Sequence, residues 1–212
     1  MSNGEGEHGM SPEVLVRWCQ RTLPDDPRAF ETLVAQYQGR VFRLAYRILG
    51  NRQEAEDQAQ EVFLKIYRGI RTLENPATLP AWITRITVNT CLDFLDKRRS
   101  RPRTQPLTTT TAGTAEQELI DQRLPTPEEA ALRNELLRCL TRTLADIDAM
   151  ERTMIVLRDV EGRPYQEIAE ALQLGLSAVK MRIHRARLVF QTTLERLCPE
   201  SWRRSASLDT SN

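Results

Sequence analysis

Apolar positions along this chain recur at helical spacing, and no stretch shows the alternation of a half-buried strand. The first recurrence is short. Val14, Leu15, Trp18 and Leu23 follow Ser11-Pro12-Glu13, where serine can cap a helix and proline can occupy its first turn, and Pro24 ends it. Asp26-Pro27 repeats the start signal. Phe30, Leu33, Val34, Tyr37, Val41, Phe42, Leu44, Ala45 and Ile48 then predict a second helix that stops at Gly50-Asn51. A third helix, over residues 52–70, puts Ala55, Ala59, Val62, Phe63, Ile66 and Ile70 on one stripe, with Glu54, Asp57, Gln60, Glu61 and Lys65 opposite. Residues 72–80 contain Asn75-Pro76 and Leu79-Pro80 and are predicted to be a loop. A fourth helix carries Trp82, Ile83, Ile86, Val88, Leu92 and Leu95 and runs into Lys97, Arg98, Arg99, Arg101 and Arg103. Because Trp82 opens an apolar stripe, it is assigned to core packing rather than to stacking on a base.

The pattern lapses over residues 101–127, where four consecutive threonines (Thr108, Thr109, Thr110 and Thr111), Gly113 and four prolines predict a flexible linker with little core of its own. Thr126-Pro127-Glu128-Glu129 restarts it with a cap, a proline and first-turn acids. Helices are expected over 128–145, 149–160, 165–172 and 177–197. The fold class is therefore all-α: two small helical domains, residues 11–100 and 128–198, joined by a flexible linker. Residues 1–10 are expected to be a disordered N-terminus and 199–212 a flexible tail.

Composition alters this picture little. With 40% hydrophobic and 28% charged residues the chain is an ordinary globular one, and a formal net charge of +1 means that any nucleic-acid function must rest on local charge. No apolar run approaches the roughly 20 residues that span a bilayer, which argues against membrane insertion. The polar start, with Glu5 and Glu7, is unlike a signal peptide, so a cytoplasmic protein is expected. Cys19, Cys91, Cys139 and Cys198 are widely separated and the only histidines are His8 and His184, so no metal or other cofactor is expected. The cysteines read as isolated buried thiols in a reducing compartment. No phosphate-binding loop, nucleophile elbow or metalloprotease motif occurs, so no catalytic residue is assigned and the chain is not expected to be an enzyme.

The most informative stretch is 165–191. Ile168, Ala169 and Leu172 form one apolar face. A break at 173–176 includes Gly175, suited to a left-handed turn, and Ser177 can cap the next helix. Val179, Ile183 and Ala186 face inward, with Leu188 and Phe190 near them. The outward residues are Lys180, Met181, Arg182, His184, Arg185 and Arg187, and no acid falls between Ser177 and Gln191. A basic helical face is often merely solvated. Here it coincides with the turn, the cap and the preceding amphipathic helix, the arrangement of a helix-turn-helix whose second helix enters the major groove.

These residues resemble a known family. Glu167-Ile-Ala-Glu170 with Val179-Lys-Met-Arg-Ile-His-Arg-Ala-Arg187, preceded by Leu157-Arg-Asp-Val-Glu-Gly162, is similar to the fourth region of extracytoplasmic-function sigma factors, which belong to the sigma-70 family. Ala55-Glu-Asp-Gln-Ala-Gln-Glu-Val-Phe-Leu64 and Ala81-Trp-Ile-Thr-Arg-Ile-Thr-Val-Asn89 resemble its second region, in the family's order. The resemblance implies a factor that binds core RNA polymerase and starts transcription at promoters, in a stress or envelope response. By position it implies minus-35 contacts from Ser177, Lys180, Met181, Arg182, His184, Arg185 and Arg187, and minus-10 contacts from Asn89, Lys97 and Arg98. Asp57, Gln60 and Glu61 would meet the clamp helices of the polymerase beta-prime subunit. The implied partners are core RNA polymerase (beta-prime clamp helices and beta flap), promoter DNA and an anti-sigma factor. Ser177-Ala178 stands where the family usually has Gly-Thr, Met181 where serine or alanine is commoner, and Gln58-Ala59 where a more apolar pair is usual. Two other readings of the residues are an operator-binding regulator using the same helix-turn-helix, and a sigma-like decoy that binds an anti-sigma protein but no DNA.

Overall fold

The computed structural model describes residues 9–100 and 127–198. The expectations for most of the N-terminus, for the linker and for the tail lie outside the described residues. Eight α-helices are found among the described residues, and no strand: α1 (Pro12–Thr22), α2 (Arg28–Leu49), α3 (Arg52–Gly69), α4 (Leu79–Ser100), α5 (Pro127–Asp146), α6 (Ala149–Ile155), α7 (Tyr165–Leu172) and α8 (Leu176–Leu197). A π-helical stretch, Val156–Val160, prolongs α6.

Local chemistry explains most boundaries. The Ser11 hydroxyl accepts from the Val14 N–H at 3.4 Å with Pro12 in the first turn. Gly50, at φ 72°, ends α2 in the left-handed conformation that a Cβ disfavours. Asn51 belongs to the next element: its side-chain oxygen accepts from the Glu54 N–H at 3.1 Å and caps α3. The 72–80 segment is less of a loop than expected. Two 3₁₀ turns, Ile70–Thr72 and Pro76–Thr78, occupy part of it, and Leu79 and Pro80 already belong to α4. The first turn has no intrahelical use for the N–H that proline lacks, so Pro80 starts the helix rather than breaking it.

One apolar cluster lies within the first four helices. Leu15, Val16, Leu33, Val41, Val62, Ile66 and Ile83 are buried there, with Trp82 packed against it. Trp82 is thus a packing residue, as its place in the stripe suggested. A Cβ built on Gly69 would sit 3.0 Å from the Trp82 ring, so the glycine lets α3 and the indole close up.

The second cluster crosses between the two units. Ile48 of α2 and Val88, Cys91 and Leu95 of α4 are buried together with Met154, Ile155, Leu157, Ile168, Val179 and Ile183 from the second half. The expected helical units are present, and they share this core, with α7 resting on α4. An amphipathic stripe shows which face is buried and not what buries it, so the sequence left this partner open. At full burial each such side chain contributes about 1.5–3 kcal/mol. Ion pairs rim the contact: Arg47 with Glu161, and Arg99 with Asp148.

Two arginines lie deeper in that contact. Arg152 donates to the carbonyl of Ile48 at 2.8 Å and to those of Ala145 and Ile147 at 3.1 and 3.3 Å. Burial lowers its pKa, and its Nε, like that of Arg163, is buried without an acceptor. An unsatisfied buried donor costs about 1–3 kcal/mol, so the shared core is stabilised by apolar area and weakened at these two points.

Two of the four cysteines depart from the expectation of isolated buried thiols. Cys19 and Cys91 are free and buried, whereas Cys139 and Cys198 form a disulfide. They lie 59 positions apart in the sequence, and only the fold brings the start of one unit against its end.

Candidate nucleic-acid interface

In the helix-turn-helix the inward and outward faces of α8 fall largely as its spacing predicts. Val179, Ile183 and Ala186 are buried against Ile168 and Ala169 of α7, and Phe190 packs at the cluster edge. Leu188 does not turn inward; it is 52% exposed. The turn is made differently from expectation. Gln173, at φ 54°, supplies the left-handed residue, while Gly175 is extended at φ −67°, ψ 146° and sits at the N-cap of α8. Ser177 is therefore in the first turn, not the cap, and its exposed position leaves it facing solvent. The left-handed residue is needed directly after α7, where the N–H of Gln173 closes back on Glu170 and that of Leu174 on Ala169.

Lys180, Met181, Arg182, His184, Arg185 and Arg187 all emerge on the outward side. Lys180, Arg182 and His184 make no ion pair among the described residues. Arg185 is loosely held, its Nε 3.8 Å from Glu151 with the side chain 80% exposed. Arg187 differs: its Nε donates to Asp159 at 3.1 Å and a second N–H reaches the other carboxylate oxygen. That bond raises the Arg187 pKa and ties α8 to the end of the π-helical stretch. The helix thus presents a cationic face with Arg187 closely and Arg185 loosely engaged by acids of their own chain, and Met181, 75% exposed, at its centre. Such a face fits the phosphate ridges and groove edge of a duplex.

In the first unit, Asn89 is half-buried on α4 in one outward row with Arg85 and Asp93. Buried threonines line the inner side of this helix. Thr84 and Thr87 bond back to the carbonyls of Pro80 and Ile83 at 2.9 and 2.8 Å, and Thr90 accepts from Lys65 at 3.0 Å. Lys97 and Arg98 are exposed at the end of α4, and Arg98 pairs with Glu54 of α3 at 2.8 Å. The structure therefore places Asn89, Lys97 and Arg98 on one helix, α4.

On α3, Asp57 and Gln60 are exposed and Glu61 is half-buried. The acids of this helix are treated unequally. Glu54 pairs with Arg98 and Glu56 with Arg52, whereas Asp57 and Glu61 make no ion pair among the described residues. Between them and the helix end stands Leu64, 50% exposed, which the sequence reading passed over. Its signal was available: Leu64 lies off the apolar stripe, at i+7 from Asp57 and i+3 from Glu61.

Comparison with known proteins decides what these faces belong to. Residues 33–101 match the family model for Sigma-70 region 2, and residues 137–188 match that for Sigma-70, region 4. The RNA polymerase sigma-H factor of Pseudomonas aeruginosa is 33% identical over 182 residues, covering 86% of this chain and 94% of that protein. The chain belongs to the extracytoplasmic-function sigma factors. The group's SigW factor of Bacillus subtilis is 31% identical over 87% of this chain and 98% of its own length. The sigma-E factor of Escherichia coli is 30% identical over 84% and 91%. Among solved structures, CnrH in complex with the cytosolic domain of CnrY superposes with a TM-score of 0.59 at 24% identity, covering 88% of this chain and 99% of that one. RpoE of Bartonella quintana, in complex with the anti-sigma factor NepR, gives 0.55 at 18% identity over 78% and 96%. At that identity the two structures establish the fold alone.

As a sigma factor the chain acts in transcription initiation, and its helix-turn-helix is a region 4 element. No helix among the described residues is long and apolar enough to cross a membrane.

Proposed function

We propose that this sigma factor docks on core RNA polymerase through the outward face of α3 and reads a promoter with α8 and α4, binding and positioning without chemistry of its own. The observation that carries the reading is the unequal treatment of acids on α3. Two are neutralised within the fold, while Asp57 and Glu61 have no ion-pair partner among the described residues and stand beside Gln60 and an exposed Leu64. An apolar centre flanked by unpaired charge suits a protein partner, here the beta-prime clamp helices.

Lys180, Arg182, His184 and Arg185 would grip the minus-35 duplex, with Met181 over the base edges and Ser177 at the phosphate side of the first turn. Arg187 would help only after leaving Asp159. Asn89 and the 72–80 segment would take an unpaired minus-10 base, with Lys97 and Arg98 on nearby phosphates; such capture offsets an unpairing cost of a few kcal/mol per base. The second unit would also meet the polymerase beta flap, and the work would take place in the cytoplasm. An exposed and acid-free α8 face argues against a decoy, which needs no DNA surface. An operator-binding regulator would leave the unpaired α3 face without use.

Both promoter elements cannot be read while α7 rests on α4, because the elements lie apart along the duplex. The shared core must therefore part, and the unsatisfied donors of Arg152 and Arg163 lower the cost of parting it. Since the solved CnrH and RpoE structures each hold a second protein, an anti-sigma factor is a reasonable partner for this chain as well.

The assignment of Asn89 is tested with the holoenzyme. Asn89→Ala should reduce strand opening, read by permanganate reactivity of the melted segment, about tenfold or more, while leaving minus-35 binding within about twofold, since one bidentate base contact is worth about 1–3 kcal/mol. Equal losses in both would remove Asn89 from the melted strand.

A further inference from the structure

The cysteines are of two kinds. Cys19 and Cys91 are buried in the two apolar clusters, where burial pushes their thiols up to about 11 and about 12, and both remain protonated and inert. Cys139 and Cys198 are bonded to each other, with their Cα atoms 6.2 Å apart, a separation that a disulfide spans without moving the backbone. Cys139 is partly exposed on α5, and Arg142 follows it three residues later on the same side of the helix. Cys198 directly follows α8 and is buried. The packing of α5 is chiefly on α8, and the Arg196–Asp146 ion pair lies at the same end. The bond thus clasps α5 to the far end of the helix whose first half carries Lys180, Arg182, His184 and Arg185.

We propose that Cys139 and Cys198 are a reversible redox modification site, closed by a hydroperoxide and reopened by a dithiol, that fastens α5 to α8 in one state and frees it in the other. The proposal rests on the functional reading in one respect: work beside RNA polymerase puts the chain in a reducing compartment, where disulfides are transient rather than permanent.

Exposure assigns the first attack to Cys139, since it is partly open to solvent while Cys198 is buried. The thiolate attacks the terminal peroxide oxygen; an S–O bond forms, the O–O bond breaks, and the alkoxide leaves with a proton as alcohol. Cys198, as thiolate, then attacks the sulfenic sulfur. The S–S bond forms, the S–O bond breaks, and hydroxide leaves and is protonated to water. Two thiols lose two electrons and two protons, and the hydroperoxide takes them up as alcohol and water. Reopening is two thiol–disulfide exchanges, in which the dithiol forms a mixed disulfide and then its own ring, leaving both cysteines as thiols.

The test uses the full chain, first reduced, then exposed to one equivalent of tert-butyl hydroperoxide, then returned to dithiothreitol without denaturant. Thiols are counted by alkylation and the linked peptides are located by mass. Peroxide should remove two thiols, join the peptides holding Cys139 and Cys198, and leave Cys19 and Cys91 free; dithiothreitol should restore both. The reduced form should melt about 10 °C lower, with faster amide exchange in 127–146 than in 28–49. Cys139→Ser and Cys198→Ser should each melt like the reduced protein and lose the redox dependence. Free thiols after peroxide, linkage between other cysteines, or a bond that resists dithiothreitol in the folded chain would overturn the proposal. None of these readouts involves polymerase or DNA, so failure here leaves the functional reading standing, and failure of that reading leaves these measurements intact.

Discussion

The outward faces of α3 and α8 carry opposite charge and differ in how the fold leaves it. On α3 the acids near the helix start are neutralised by Arg98 and Arg52, and the two on the central face are left unpaired next to an exposed leucine. On α8 the cations are numerous, and two of them touch acids of their own unit, Arg185 loosely and Arg187 closely. Under the proposed roles, the acidic face would serve one protein partner through few residues. The proposed phosphate-binding face is spread over several side chains, so individual members can be lent to the fold. The α3 face should accordingly fail abruptly when its charges are changed, and the α8 face by degrees.

The largest effect is expected from Asp57→Arg combined with Glu61→Arg. Core polymerase binding should weaken about 100-fold or more while the melting temperature stays within a few degrees, because the proposal puts both residues at the centre of the contact and neither belongs to the buried core. Retained association in a co-purification or titration would break the comparison at its stronger end. Next comes Lys180→Ala with Arg185→Ala. Minus-35 duplex affinity should fall about tenfold, and the slope of log K against log salt should decrease in magnitude by about 2, one for each phosphate contact removed. An unchanged salt slope would take α8 off the phosphates.

Smaller still is Arg187→Ala. Its pair with Asp159 is partly exposed, so stability should change by no more than about 1 kcal/mol and DNA affinity by less than for Arg185. Asp159→Asn sharpens the point: by freeing Arg187 it should raise affinity about threefold at low salt. If both variants weaken binding equally, Arg187 is needed where Asp159 holds it rather than on the DNA.

How far the sequence reaches into this molecule depends on whether a feature is local. The stripe of α3 and the inward Val179, Ile183 and Ala186 follow from helical spacing alone, and their burial agrees with it. Ser11 and Pro12 announced α1 for the same reason. Features that need a distant partner were not legible. Val88 and Leu95 were visible on a stripe, but not the covering of that stripe by α6, α7 and α8. Nor could the pairing of Cys139 with Cys198 be read from four scattered cysteines. Between these lie differences of two residues: Gln173 takes the left-handed role given to Gly175, and Ser177 is the second residue of the helix it was expected to cap. Leu64 was legible and passed over, because an exposed leucine on a polar face looks ordinary until its acidic neighbours prove to be unpaired.

The central claim is that one chain joins a polymerase-docking face to a promoter-reading face. Run-off transcription with core RNA polymerase on a library of randomised promoters tests it most directly. Transcripts should depend on both core enzyme and this chain, and the selected templates should hold two separated elements, the upstream one lost on Lys180→Ala with Arg185→Ala. Starts that ignore the added chain, or specific DNA selection that persists without polymerase, would contradict it.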